Sequence, residues 1–252
     1  MLPTVKLLSR LMLGLSMLLL SVPGVAAINT QALQQLELDI WSVRSGYYLY
    51  SVMEGDKAYE AVLADKITAA ERSFNTLKGN AEGSDDEALV NALEDHFHNF
   101  IELANENTIA ELGYTDTHLA IDLNNQAAEI IQLLKEHKGE GDPNDLLALA
   151  IQSQRMTSEY LSLAAAPDGG TSAADGEIRI DFDEAVPEFD ELLATLQQKY
   201  TDDDAVSRAL LQVDRKWRFI RESMVKFYED AVPFLVSRYS EQIVELIEQV
   251  VE

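Results

Sequence analysis

The 252-residue chain has no cysteine. That one absence excludes disulfides, thiol nucleophiles, Cys-ligated metal sites and c-type haem attachment. Positive charge is scarce as well: 19 Lys and Arg stand against 44 Asp and Glu, a net charge of −25. Such an imbalance repels phosphate backbones and anionic headgroups, so neither nucleic acid nor a membrane surface is expected as a partner. Acidic chains are sometimes disordered, but 47% apolar residues supply enough material for a core. Strand patterns are nearly missing. The one alternating stretch, Glu177-Ile178-Arg179-Ile180-Asp181-Phe182, is too short to build a sheet. Long apolar runs are missing too, apart from Leu11 to Val22.

That run has the form of an export signal. Lys6 and Arg10 precede it, Pro23-Gly24 breaks it, and Val25-Ala26-Ala27 offers the small residues that signal peptidase requires. It is short for a membrane span of about 20 residues. Residues 1–27 are therefore expected to be removed, leaving a periplasmic protein with no membrane span. Cleavage takes away two cations and no acid, shifting the net charge from −25 to −27. A secreted chain without disulfides must be held by its core, and the remaining length, about 225 residues, suffices for one.

What remains reads as helix. Apolar residues recur at helical spacing over about 29–54, 57–78, 85–105, 116–138, 144–165, 182–199, 203–228 and 230–251. Glycine and proline collect in the breaks, at Gly79–Gly83, Gly139–Pro143 and Pro167–Gly176. Ser84-Asp85-Asp86-Glu87 and Thr201-Asp202-Asp203-Asp204 place acceptors and negative charge where helices begin.

The chain also repeats itself. On the last helix, Leu235, Val236, Tyr239, Ile243, Leu246, Ile247 and Val250 share one face. Subtracting 116 gives Leu119, Ala120, Leu123, Ala127, Ile130, Ile131 and Leu134, all apolar. At 120, Val213, Trp217 and Ile220 fall on Leu93, Phe97 and Phe100. At 115, Phe189 and Leu192 fall on Phe74 and Leu77. The expected fold is all-α: two tandem repeats of an antiparallel four-helix unit, at 28–138 and 144–252. A linker rich in Ala, Gly, Asp and Ser, about 165–181, is inserted in the second repeat and reads as a surface loop.

Two groups of residues stand out from this pattern. The first is Gln152-Ser153-Gln154-Arg155-Met156, continued by Thr157-Ser158-Glu159-Tyr160-Leu161. It puts polar groups on a face that also holds Leu149, Met156, Tyr160 and Leu163. Buried polar groups cost free energy unless paired, so these either satisfy one another across an interface or line a binding site. The second is Arg208, Arg215, Arg218, Arg221 and Lys226, opposite the apolar face of the seventh helix. This stripe reads either as a solvated face paired with nearby carboxylates or as a docking stripe for an acidic partner or an anionic ligand. Metal ligation is not expected: Asp95-x-x-His98 occurs once, and His96 and His98 diverge on a helix. No Ser-His-Asp order, phosphate loop or catalytic carboxylate pair stands out, so no catalytic residue and no cofactor are assigned. Trp41, Trp217, Phe74 and Phe189 are expected in the core.

Ser153-Gln154-Arg155-Met156 with Tyr160-Leu161, Ile28-Asn29 at the first opening, and Trp217-Arg218-Phe219 late in the second repeat carry a family resemblance. Together they resemble the periplasmic N-terminal domain of type IV pilus methyl-accepting chemotaxis transducers. That domain is similar to the sensor region of nitrate/nitrite sensor kinases of the NarX type. The resemblance covers essentially the whole chain after residue 27. It implies a non-catalytic sensor or binding module, a small anion or a periplasmic signalling protein as partner, and a homodimer. In the nitrate-sensing branch, two arginines five residues apart contact the anion. Their places here are Ala150 and Arg155, and Gln35 and Ile40, so Arg155 alone is retained. Gln152, Ser153, Gln154 and Arg155 are then the ligand or interface residues. The alternative is a structural or partner-docking helical protein that has lost its ligand.

Overall fold

The computed structural model describes residues 27–166 and 179–251. Residues 1–26 of the expected export signal, 1–27, and residues 167–178 of the expected linker lie outside them. Among the described residues the protein is all helix, with no strand longer than an isolated bridge. Eight long helices and one single turn follow in order: α1 Thr30–Val52, α2 Lys57–Gly79, α3 Ser84–Asn105, α4 Ile109–Leu112, α5 Thr117–Glu136, α6 Asp145–Ala165, α7 Phe182–Lys199, α8 Asp204–Val225 and α9 Pro233–Val251. No described helix is long and apolar enough to cross a membrane.

The helices differ in how much of their circumference is covered. The outer ones bury a single stripe; in α8 this is Val206, Leu210, Val213, Trp217, Ile220 and Met224, three or four residues apart. By contrast α1 is buried at nearly every position from Leu36 to Ser51, and α6 from Ser153 to Leu163. A helix covered all round is central. Gln34, early in α1, bonds the backbone of Asn144 at the start of α6, and Arg44 reaches Ser158 and Glu159. The two central helices therefore run parallel and side by side. α2, α3 and α5 pack round α1; α7 and α9 pack on α6, and α8 closes the second group against α7 and α9. Two apolar cores result, and each takes one residue from the other central helix: Leu161 joins the first, Leu38 the second.

Burial follows constant offsets between the halves. Buried Leu89, Leu93, Phe97, Phe100 and Ala104 of α3 lie 120 residues before buried Ala209, Val213, Trp217, Ile220 and Met224 of α8. Ala120, Asn124, Ala127 and Ile131 lie 116 before Val236, Ser240, Ile243 and Ile247. The second helices differ from expectation. Their buried faces coincide at 119, pairing Ile67 with Val186, Ala70 with Phe189, Phe74 with Leu193 and Leu77 with Leu196. The 115 offset that matches Phe74 to Phe189 is one turn away. A helical face recurs after nearly four residues, so a match of aromatic to aromatic picks the right face and the wrong turn.

The ends of the helices also depart from the sequence reading in places. Ser84 does not cap α3; the cap position is Gly83, with φ 87° and no side-chain acceptor, and Ser84 is the first helical residue. Asp203 does cap α8, accepting from the N–H groups of Ala205 and Val206. The seventh helix stops at Val225 rather than 228, and the last begins at Pro233, since proline suits a first turn and cannot continue one. The connector between halves grips the start of α1: Glu140 N–H donates to Ile28 O, and Thr30 N–H donates to Glu140 O, both at 2.9 Å. A Cβ on Gly139 would stand 2.7 Å from the Thr30 nitrogen, so only glycine allows this approach.

Candidate functional site

The seam between α1 and α6 is polar at its middle. Arg44 is fully buried and faces Glu159, also buried, with Nη2 to Oε2 at 3.0 Å. Its Nη1 donates to Ser158 Oγ, and its Nε to Asn124 Oδ1 of α5 at 2.8 Å. The same amide oxygen accepts from Tyr48 OH at 3.0 Å. The guanidinium carbon lies 5.2 Å from the Tyr48 ring centre and 6.0 Å from Trp41. Burial, before any other cause, raises the Tyr48 hydroxyl above its ordinary pKa, so it stays protonated and able to donate. A buried charge pair is tolerated only when it is well bonded, as this one is. At the 115 offset of the helix starts Thr30 and Asp145, Arg44 and Glu159 occupy matching places on the two central helices.

Beside α6 a groove opens to solvent as two adjoining hollows of about 580 and 160 Å³. Arg179, Ile180, Asp181 and Glu184 wall both. Glu159 and Leu163 form the α6 side of the larger one, with Phe182, Val225, Phe227 and Tyr228 supplying apolar and aromatic surface. Phe227 packs edge-on against the buried Tyr160 at 4.9 Å. The smaller hollow is lined by Gln152, Arg155 and Met156. The larger volume falls in the range of small-molecule sites. Charge in the groove is unequal: among the described residues Asp181, Asp183, Glu184 and Glu188 line it with Arg155 and Arg179, while Glu159 is already paired with Arg44.

The four sequence-predicted site residues divide between two faces. Gln152 and Arg155, three apart, line the groove. Arg155 also lies over the Trp41 ring at 5.9 Å, which brings it to the seam. Ser153 and Gln154 turn the other way, are fully buried, and bond Ser240 of α9 at 3.1 and 3.4 Å. These two share Ser240 as partner and do not touch the groove; Gln154 instead lines a separate hollow with Asp39 and Lys66 of the first half and Glu241 of the second. Sequence reading missed Arg44, Asn124 and Tyr48 and did not weigh Glu159. A signal existed: Arg44 sits in a stretch of α1 with apolar or small residues on every side, a place where a cation requires a partner.

The cationic stripe on α8 is exposed and largely paired. Arg218 meets Asp214 at 2.9 Å, Arg221 meets Asp190 at 2.6 Å, and Lys226 meets Glu222 at 2.6 Å. Arg208 donates to the backbone oxygen of Asp204. Arg215 is exposed. Among the described residues no three His, Asp or Glu side chains converge as a metal would require. No protein-family model, curated protein or solved structure matches the chain.

Proposed function

We propose that this protein is a non-catalytic, periplasmic sensor or binding module of the type IV pilus transducer kind, a duplicated helical unit exported by its N-terminal segment. The groove beside α6 is its ligand site. One observation carries the reading: Glu159 belongs both to the groove wall and to the ion pair across the α1–α6 seam. A ligand that draws on this carboxylate competes with Arg44, and so favours a different packing of the two halves. A sensor needs that coupling, since a ligand shifts an equilibrium only by binding one arrangement better. The excess of carboxylates favours a ligand with a cationic group over a small anion, and the aromatic wall favours one with an apolar body.

A thermal-shift series of organic amines, from spermidine to phenethylamine, on the chain lacking residues 1–27 tests this. An amine carrying an aromatic body is expected to raise the melting temperature in a saturable way. Asp181→Asn with Glu184→Gln, both exposed, should weaken binding at least tenfold. Asparagine can still cap α7 as Asp181 does, so the unliganded protein should lose no more than about 1 kcal/mol from the two first-turn charges. Equal affinity in that double variant, or no shift from any amine, would remove the groove from consideration.

A further inference from the structure

The outer faces of α3 and α8 have opposite character. α3 carries Asp85, Asp86, Glu87, Glu94, Asp95 and Glu102 and neither lysine nor arginine. Its solvent side presents Asn91, Asp95, His98, Asn99 and Glu102. The matching side of α8, 120 residues on, presents Leu211, Arg215, Arg218, Phe219 and Glu222, followed by Val225. Leu211 is 50% exposed and Phe219 59%. Apart from Leu112 and Tyr114, every strongly exposed large apolar side chain among the described residues lies between Leu211 and Leu235. Phe219 rests against Tyr239 of α9, 4.7 Å between ring centres, which holds it in place on the surface. Scattered exposed apolar residues need no explanation, but a concentration of them mixed with arginine is the composition of an interface.

We infer that the outer face of α8, with the adjoining edge of α9, docks an acidic amphipathic helix of a partner protein. Residues 211 to 225 recur at spacings of three and four along one straight stripe, about 21 Å long at 1.5 Å per residue, which suits a packed helix. Arg215 and Arg218, both exposed, outnumber Glu222 on this stripe and favour negative charge in the occupant, although Arg218 already meets Asp214. A second copy of this chain fits poorly. Its acidic α3 face has no apolar stripe to meet Leu211 and Phe219, and two α8 faces would oppose like charges. A flat anionic membrane would also face the acidic surface around the stripe, whereas one helix, about 10 Å wide, meets little beyond it.

The test uses the chain lacking residues 1–27 and fluorescence anisotropy of a labelled 20-residue helical peptide with a leucine stripe flanked by glutamate. Binding in the micromolar range is expected, and at least tenfold weaker binding when lysine replaces every glutamate. Leu211→Ser with Phe219→Ser should weaken the acidic peptide at least tenfold while leaving the helical circular-dichroism spectrum and any amine-induced shift in place, the melt falling only by the lost Phe219–Tyr239 contact. Equal binding of both peptides, or full binding by the double variant, would overturn the assignment. So would vesicles of phosphatidylglycerol, or self-association in sedimentation, if either proved sensitive to the same double substitution while the peptide did not.

Discussion

The two halves of the molecule agree inside and disagree outside. Every buried position of α8 has a buried match in α3 at a single offset, and four buried positions of α5 match buried ones of α9, although Trp217 stands opposite Phe97 and Ser240 opposite Asn124. The exposed positions of the same helices differ in sign and polarity, with Asp95 and His98 in α3 against Arg215 and Arg218 in α8. Packing explains the first fact: a core tolerates swaps that keep volume and pattern, and little else. Solvent explains the second, because an exposed residue is nearly free of stability constraints. What differs between two similarly packed halves is therefore where a specific role is best sought, and the groove and the α8 face both lie in the second half. The seam is an instructive exception. There the matching buried positions hold Arg44 and Glu159, unlike charges brought face to face.

Breaking that pair should have the largest effect. Glu159→Ala leaves a fully buried guanidinium without its counter-charge, which costs about 3–5 kcal/mol. Urea unfolding should show a correspondingly lower midpoint. The pair Arg44→Met with Glu159→Leu removes both charges and keeps similar volume, and should recover most or all of that loss. A double variant as unstable as the single one would mean that the seam depends on the hydrogen bonds to Asn124 and Ser158 more than on charge.

Asp39 offers a second contrast, since its counterpart at the 115 offset is the neutral Gln154. Burial raises the Asp39 carboxyl from 3.8 to about 6, helped by Glu248 and opposed by Ser73, Gln35 and Arg72. Here the folded-state pKa lies above the unfolded value, so the folded protein holds the proton more tightly. Asp39 therefore opposes folding most strongly above about pH 6, and the opposition fades as pH falls toward 4. At roughly 1.4 kcal/mol per unit, the penalty at pH 7 is on the order of 2–3 kcal/mol. Asp39→Asn should raise stability by about that much at pH 7 and by little at pH 4. A gain equal at both values would show that the carboxylate is not the cause.

Much of this organisation was legible in the sequence, for physical reasons that also mark the limit. The 3.6-residue period of Leu210, Val213, Trp217 and Ile220 fixes which side of α8 is buried, because only one face of an outer helix meets the core. The same reasoning is blind in α1 and α6, where every face is covered and there is no polar side to contrast. Gln154 and Gln152 illustrate this: they are two residues apart, equally polar, and one is buried while the other lines the groove. The groove itself depends on residues 179–188 lying against α6, a long-range arrangement that no local pattern encodes. The register of the second helices failed for a similar reason, since one turn of slip preserves the face. Arg44 was visible as an anomaly, but its partner Glu159 lies 115 residues away and no spacing rule connects them.

The start of each central helix gives the smallest and cleanest comparison. Asn29 caps α1 with one hydrogen bond, from Ala32 N–H at 2.6 Å, and Asn144 caps α6 with two, from Leu146 and Leu147 N–H at 2.9 and 3.2 Å. Replacing a capping asparagine with alanine costs about 1 kcal/mol. Both helix starts are also pinned through the backbone, α1 by Glu140 and α6 by the Gln34 side chain, which bonds the Asn144 N–H and carbonyl at 2.8 and 3.0 Å. Those pins survive substitution to alanine, so neither helix should unravel. Asn144→Ala should then cost slightly more than Asn29→Ala, because it leaves two N–H groups without an acceptor rather than one. Chemical denaturation resolves a difference of that size. If Asn29→Ala proved the costlier, the Glu140 clamp would depend on the cap, and the two helix starts would be held by different means despite the matching asparagines.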